Sequence, residues 1–207
     1  RGVEHHIEVC AADNDGTNTH NTNTTIPGLP EGDVPPAAYV ASFDMWCHDN
    51  YDDGDSLHER SEGDFHGGLW EWNGDRGVAT AYGAHVNVYN GIARDNGNNG
   101  QSTSLSSSSG EGFCSIGEAL VEEGGVGTQM VCFSCESYRN NVNYSTFGKN
   151  CSLIVNQSIS RDAKVAGYCA FTFGLLIANN CFESGSPQAK LESGGGRIIV
   201  KNAEPLV

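Results

Sequence analysis

Eight cysteines are the feature that most constrains how this chain of 207 residues folds. An even number allows up to four disulfide bonds. Zinc binding is the alternative, but zinc sites favour two close cysteine pairs, or one pair with histidines nearby. Only Cys132 and Cys135 have that spacing, and no histidine follows His85. We therefore predict disulfide bonds, no metal and no cofactor. The predicted framework comprises Cys10, Cys47, Cys114, Cys132, Cys135, Cys151, Cys169 and Cys181.

Disulfide bonds persist in oxidising compartments, so the cysteine count predicts a secreted, extracellular protein. The sequence begins at Arg1, which indicates a processed or trimmed fragment. No run of about 18 apolar residues is present, so we predict no membrane span. Asn-x-Ser/Thr sequons give weak support for secretion as a glycoprotein. They start at Asn23, Asn143, Asn150 and Asn156.

The net charge is −15, from 26 acidic and 11 basic residues. Such a field repels phosphate backbones and anionic lipid surfaces, which argues against nucleic-acid binding. The 27 glycines, together with many Asn, Ser and Thr residues, disfavour long helices. The composition therefore predicts short elements joined by long loops.

Two unequal regions are predicted along the chain. Residues 1–78 form a β-rich acidic N-terminal region, and residues 79–207 form a cysteine-rich α+β region with six of the eight cysteines. Residues 95–112 contain Gly, Asn and Ser without apolar periodicity, which predicts a mobile loop. Helices are predicted at 115–123 and 152–160. Strands are predicted at 6–11, 37–46, 68–73, 82–89, 128–138, 141–147, 163–173 and 197–201.

An internal repeat is predicted from the alignment of residues 114–134 with residues 151–171. Each segment begins with Cys-Ser followed by Ile or Leu, and each has a second cysteine 18 positions after the first. Coincidence of two cysteine spacings is the alternative. A duplicated helix–strand unit predicts an α+β fold, mainly antiparallel β, with two short helices on one face of a sheet. Cys114 with Cys132 and Cys151 with Cys169 are one possible pairing.

The sequences Asn150-Cys151-Ser152-Leu153 and Gly167-Tyr168-Cys169-Ala170-Phe171 carry a family resemblance. This region, roughly residues 110–203, resembles fungal necrosis-inducing effector domains and the related killer toxins. The whole chain also resembles, in general character, two-domain effectors of vascular-wilt fungi. The resemblance implies a secreted, cysteine-rich protein with a small antiparallel sheet and two helices. It transfers no catalytic residue, because these families are defined by framework cysteines.

The sequence lacks the motif for one kind of chemistry and contains candidate residues for three others. There is no Gly-x-Ser-x-Gly nucleophile motif. A glycosidase needs two carboxyl groups across a cleft, and Glu71 between Trp70 and Trp72 is one candidate. Calcium is an alternative for two Asp-rich turns, which Asx turns explain equally well. These turns are Asp13-Asn14-Asp15-Gly16 and Asp52-Asp53-Gly54-Asp55. Three histidines of the acidic segment 47–67 are candidate metal ligands, namely His48, His58 and His66.

The sequence favours a secreted fungal effector or toxin-like monomer that binds without catalysis. Its expected partner is a cell-surface protein or glycan of a host or competitor cell, met through the loops 95–112 and 47–67. The alternative is a carbohydrate-binding module or glycoside hydrolase, with a sugar platform formed by Trp46, Trp70, Trp72 and Tyr82. The candidate binding residues are Trp70, Trp72, Asp52, Asp53 and Asp55.

Overall fold

The chain folds into a parallel β-solenoid of about 6 turns, and three parallel β-sheets form its sides. The computed structural model describes residues 7–10, 39–50, 52–58, 61–97, 110–117 and 127–202. These residues form twenty strands, numbered β1 to β20 along the chain, and no helix. Every described strand pair is parallel, and no described helix is long and apolar enough to cross a membrane.

Three sheets share these strands. Sheet A contains β1 (Ile7–Cys10), β4 (Asp55–His58), β7 (Val78–Ala81), β10 (Glu111–Ile116), β13 (Val142–Phe147), β16 (Ala166–Phe171) and β19 (Gln188–Ser193). Sheet B contains β2 (Tyr39–Phe43), β5 (Glu62–His66), β8 (His85–Tyr89), β11 (Thr128–Phe133), β14 (Cys151–Asn156), β17 (Leu175–Asn179) and β20 (Arg197–Lys201). Sheet C contains β3 (Trp46–His48), β6 (Leu69–Glu71), β9 (Ile92–Arg94), β12 (Glu136–Tyr138), β15 (Ile159–Arg161) and β18 (Phe182–Ser184).

Each circuit through sheets A, B and C is one rung, and successive rungs stack in register. Tyr39, Glu62 and His85 are Cα partners on neighbouring strands of sheet B. The next partner is Gln129. The greater sequence distance between His85 and Gln129 falls in 98–109 and 118–126, which lie outside the described residues. The solenoid therefore has a short sequence repeat, with neighbouring rungs about 4.8 Å apart.

Left-handed residues turn the chain at the corners between sheets. The first residue after a strand of sheet B has φ 49° at Asp44, 55° at Asn90 and 53° at Ser134. Asn, Asp and Gly adopt this conformation at low cost, which accounts for much of the polar, glycine-rich composition. Trp72 also has φ 55° at the corner after sheet C, where a bulky side chain is uncommon.

A column of aromatic rings fills the interior. Trp70 contacts Phe113 edge-on at 6.1 Å between ring centroids, and Phe113 stacks on Tyr144 at 5.5 Å. Tyr144 in turn stacks on Tyr168 at 5.8 Å. Inward residues alternate with outward ones along each strand. Side chains at equivalent positions on neighbouring rungs therefore pack against one another. The core is narrow, and burial along its length holds the rungs together.

An amide ladder follows the corner between sheets C and A inside the solenoid. The Asn50 side chain donates to Asn73 Oδ1 at 2.9 Å, Asn73 donates to Asn96 Oδ1 at 3.0 Å, and Asn96 donates to Asn140 Oδ1 at 3.0 Å. The same acceptors receive backbone N–H groups of the preceding ladder residue. The ladder satisfies buried backbone donors at a corner where strand pairing is interrupted.

The predicted α+β fold with an antiparallel sheet is wrong, because the described chain contains only strands and pairs them in parallel. Residues 152–160, predicted as a helix, belong to β14 and β15. Cys151, Leu153 and Val155 are buried at alternate positions, a period of two that a helix does not have. Of the other predicted helix, 115–117 lie in or directly after β10, and 118–123 lie outside the described residues. Every predicted strand segment contains a strand, but 37–46 and 128–138 each pass through a corner, at Asp44 and Ser134, into a strand of another sheet.

The segments 114–134 and 151–171, which the predicted duplication aligns, begin on different sheets. Cys114 lies on sheet A and Cys151 lies on sheet B, so the two residues are not equivalent. Strands before and after residue 78 pair with one another in all three sheets, so the regions 1–78 and 79–207 do not separate there. Most of the predicted mobile loop, 98–109, lies outside the described residues.

The predicted disulfide framework is absent among the described cysteines. Seven of them are free thiols, and none lies at bonding distance from another. The suggested pairs Cys114–Cys132 and Cys151–Cys169 join different sheets. Most of these thiols are buried, where cysteine packs as a small apolar side chain. The Cys10 side chain lies outside the described part of the chain.

Candidate functional site

The outer face of sheet B carries a shallow surface depression. It is an open groove of about 210 Å³ across β2, β5, β8 and β11. The sheet B groove is lined by Tyr39, Glu62, Gly63, Asp64, His85, Val86, Asn87 and Gln129. Its outward side chains come from two rows, because residues two apart on a strand share a face. A groove of this size is smaller than a drug-sized pocket and fits one small polar ring.

Asp64 is the centre of the groove's hydrogen bonding. The Tyr39 hydroxyl donates to Asp64 Oδ2 at 2.7 Å, and the Asn87 amide donates to Asp64 Oδ1 at 2.9 Å. These two bonds lower the pKa of the Asp64 carboxyl, and the same Tyr39 contact raises the pKa of the phenol. Asp64 is therefore an ionised acceptor, with lone-pair sites left for a ligand's donors.

Polar side chains also form the groove's rim. His85 Nε2 lies 2.8 Å from the Gly127 carbonyl oxygen, which fixes the ring beside the groove. Gln129 donates to Ser152 Oγ at 3.3 Å, and Glu62 is exposed at the start of β5. The rim thus presents carboxylate, imidazole and amide groups within a single shallow surface. A few convergent polar groups of this kind fix the orientation of a small bound ligand.

An aromatic stack runs beside the groove at the far end of the same strands. Phe43 and His66 stack at 5.1 Å, His66 and Tyr89 at 4.8 Å, and Tyr89 and Phe133 at 5.3 Å, with interplanar angles of 9°, 7° and 6°. Rings in this arrangement cover one another's faces and present their edges outward. The stack therefore stabilises neighbouring rungs, and it does not form a flat platform for a sugar ring.

The four residues of the predicted sugar platform do not lie together on one surface. Trp70 is fully buried, and its indole N–H donates to Asp55 Oδ2 at 2.6 Å. Trp46 and Trp72 are exposed, on sheet C and at the corner after it. Tyr82 lies at the corner after sheet A, beside His58. Trp70 and Asp55, both candidate binding residues, thus form a buried structural pair.

The other candidate aspartates lie at the corner between sheets C and A. Carboxylate oxygens of Asp52, Asp53 and Asp75 lie within 4.8 Å of one another. Arg76 reaches into this group, 2.8 Å from Asp75 Oδ2 and 3.4 Å from Asp53 Oδ1, and 3.3 Å from Glu111 Oε2. The guanidinium thus pairs with three of these carboxyl groups, and the arrangement is an ion-pair network at a solenoid corner.

Two carboxyl groups of this network have raised pKa values. Burial raises the pKa of Asp75 to about 6 and that of Glu111 to about 7, against the opposing effect of Arg76. Neither residue lines the sheet B groove. Glu71, a candidate glycosidase residue, is also buried and lies 2.5 Å from Arg94 and 2.9 Å from the Trp46 indole nitrogen.

The three candidate histidine ligands do not meet. His48 is on sheet C, His58 on sheet A and His66 on sheet B. His48 pairs with Asp49 at 2.9 Å, and His66 lies within the aromatic stack. A single ion shared by these side chains is therefore inconsistent with the fold.

Sequence reasoning missed Tyr39 and Asn87 as partners of Asp64. The three residues are far apart in sequence, and only the stacking of β2, β5 and β8 brings them together. The available signal was the recurrence of Asn50, Asn73 and Asn96 at equal spacing, which marks the length of one rung.

No protein-family model matches the chain, and no curated protein or solved structure matches it either.

Proposed function

We propose that this protein is a secreted, non-catalytic binding protein that recognises a glycan of a host or competitor cell. The observation that carries the proposal is the sheet B groove, in which the ionised Asp64 is held by Tyr39 and Asn87. A rigid parallel sheet positions these groups, so a ligand meets an ordered set of acceptors and donors.

The ligand's chemistry follows from the groove's charge. Glu62 and Asp64 make it acidic, in a chain whose net charge is −15, so anionic sugars are disfavoured. Carboxylate and amide oxygens accept hydrogen bonds from sugar hydroxyls, and the amides of Asn87 and Gln129 donate to ring and hydroxyl oxygens. A neutral, hydroxyl-rich ring is the ligand class that uses both properties.

The pKa shifts of the carboxyl groups favour a binding protein over a glycosidase. A glycosidase needs a carboxylic acid with a raised pKa beside a second carboxylate. In the groove the pKa of Asp64 is lowered, whereas the raised values belong to Asp75 and Glu111 outside it. The groove is thus suited to accept hydrogen bonds and poorly suited to donate a proton to a leaving group.

A glycan array followed by calorimetry tests the proposal. The Asp64→Asn substitution removes the charged acceptor and weakens the Tyr39 contact. Since a hydrogen bond to a charged group contributes about 1.5–3 kcal/mol, we expect affinity to fall roughly 10- to 100-fold. Asp49→Asn is the matched control, because Asp49 directly follows β3 of sheet C and does not line the groove.

Equal affinity of the wild type and Asp64→Asn for the same glycan would place binding elsewhere on the surface. Absence of binding across neutral glycans would overturn the carbohydrate proposal and leave a cell-surface protein as the partner class.

A further inference from the structure

An apolar row continues the sheet B groove along the solenoid axis. Ala41, Asp64 and Asn87 share one outward position on successive strands of sheet B. The same position on the following strands is aliphatic throughout. The apolar row comprises Val131, Ile154, Ile177 and Ile199.

Hydrogen-bonded polar side chains border the apolar row on both sides. On one side Gln129 donates to Ser152 Oγ at 3.3 Å, and on the other Asn179 donates to Asn156 Oδ1 at 2.9 Å. Because these amides bond to one another between rungs, they are held beside the row. The row is an aliphatic strip flanked by these polar pairs, and Leu175 and Phe133 extend the apolar surface at the neighbouring positions of the two flanking rows.

An uncovered aliphatic row is unusual on a parallel sheet, whose two faces are normally covered. Within this solenoid, sheet A follows that rule: Cys114, Ser145 and Cys169 point away from the aromatic column and are 0%, 1% and 0% exposed. On sheet B, by contrast, Ile154 and Ile177 remain partly exposed. Sheet B therefore has a solvent-facing apolar surface joined directly to a polar groove.

We infer that the ligand is an amphipathic glycoside, whose sugar occupies the sheet B groove and whose aliphatic chain lies along the apolar row. The continuity of one row from Asn87 to Val131 carries this inference, because a single extended ligand meets polar groups and then aliphatic ones. Four rungs span about 14 Å at the usual strand spacing, which an alkyl chain of ordinary lipid length covers. The inference rests on the proposed glycan binding and specifies its ligand class.

Calorimetry with methyl and n-octyl β-glycosides of glucose, galactose and N-acetylglucosamine tests it, below the micelle-forming concentration. A fully buried methylene contributes about fourfold to affinity, so a half-buried one contributes about twofold. The seven additional methylenes then strengthen binding of the octyl glycoside by about 100-fold over the methyl glycoside. The double variant Ile154→Thr/Ile177→Thr keeps β-branched side chains and should reduce this ratio to below about tenfold.

The matched control is Ile92→Thr/Ile159→Thr, because both isoleucines occupy an outward row of sheet C. It should leave the octyl-to-methyl ratio unchanged. Methyl-glycoside binding with no gain from the octyl chain would overturn the inference and leave the proposed function intact. If the affinity for the octyl glycosides is unchanged by Asp64→Asn and is the same for every sugar, the proposed function is overturned instead. Sedimentation analysis completes the test: a wild-type dimer that Ile154→Thr/Ile177→Thr dissociates would assign the row to self-association and overturn the inference.

Discussion

Replacing Asn140 with alanine removes the last described side chain of the amide ladder and tests whether that ladder stabilises the solenoid. Asn140 Oδ1 accepts the backbone N–H and the side-chain amide of Asn96, both at 3.0 Å. Its own amide donates to Ala93 O at 3.0 Å, to Ser137 Oγ at 3.0 Å and to Asn143 Oδ1 at 3.2 Å. The side chain is fully buried, so water does not replace these contacts.

The expected change in the free energy of unfolding follows from the groups that lose a hydrogen bond in Asn140→Ala. A neutral hydrogen bond contributes about 0.5–1.5 kcal/mol net, and a buried donor that loses its acceptor costs about 1–3 kcal/mol. Because several of the Asn140 bonds share one donor group, we expect a total loss of about 4 kcal/mol in the free energy of unfolding. For a domain of this size that corresponds to a fall in Tm of roughly 10 °C.

Thermal unfolding followed by circular dichroism measures the effect, and amide hydrogen exchange localises it. The exchange of the Asn96 N–H should accelerate, because this group loses its acceptor. Asn179→Ala is the matched control: Asn179 is partly exposed and donates one side-chain bond, so its loss should lower Tm by about 2 °C. Equal Tm shifts in the two variants would refute the structural role of the ladder.

Two further predictions concern buried ionisable and aromatic groups. Burial raises the pKa of Glu111 to about 7, so its contribution to stability is complete below about pH 4.5 and is lost as pH rises through 7. Urea unfolding should show a loss of about 3 kcal/mol from Glu111 over that interval, which Glu111→Gln removes while the loss from Asp75, whose pKa is raised to about 6, remains; an unchanged pH profile in Glu111→Gln would contradict this. Trp70→Phe removes the N–H bond to the buried Asp55 and should cost about 2 kcal/mol in urea unfolding, whereas the exposed Trp72→Phe should cost under about 0.5 kcal/mol; equal losses would contradict the buried pairing.

Strands could be predicted from the sequence, and their arrangement could not. Alternation marked the segments 82–89 and 128–138, which contain β8, β11 and β12. Parallel pairing leaves no hairpin signal, and each short strand has the same appearance in an antiparallel sheet. Gly54 and Gly77, which lie one rung apart in sequence, indicate the parallel stacking of the rungs. A Cβ atom on Gly54 would lie 2.6 Å from the Gly77 oxygen, so the stacking of rungs excludes a side chain there.

Cysteine was the misleading signal. The count and even number predicted cross-links, but this fold also accommodates buried thiols, on either face of a sheet, wherever a small side chain fits. Cys114, for example, pairs in register with Ala79 and Ser145, residues of similar volume. Of the predicted site residues, Asp52 and Asp53 did come together with Asp75, and Arg76 forms ion pairs with Asp53 and Asp75. The residues of the groove were separated by whole rungs and so carried no local pattern.

The three outer faces of the solenoid differ in what they leave available for recognition. Sheet A buries outward residues of its central strands, such as Cys114 and Cys169, whereas its last strand, β19, is exposed. At the end of sheet C, Arg94 pairs with Glu71 and Arg161 with Glu136, so these charges are largely compensated. Only sheet B combines, among the described residues, a polar groove with a continuous partly exposed aliphatic row. Because recognition requires groups that the fold has not already satisfied, sheet B is the face on which binding is expected.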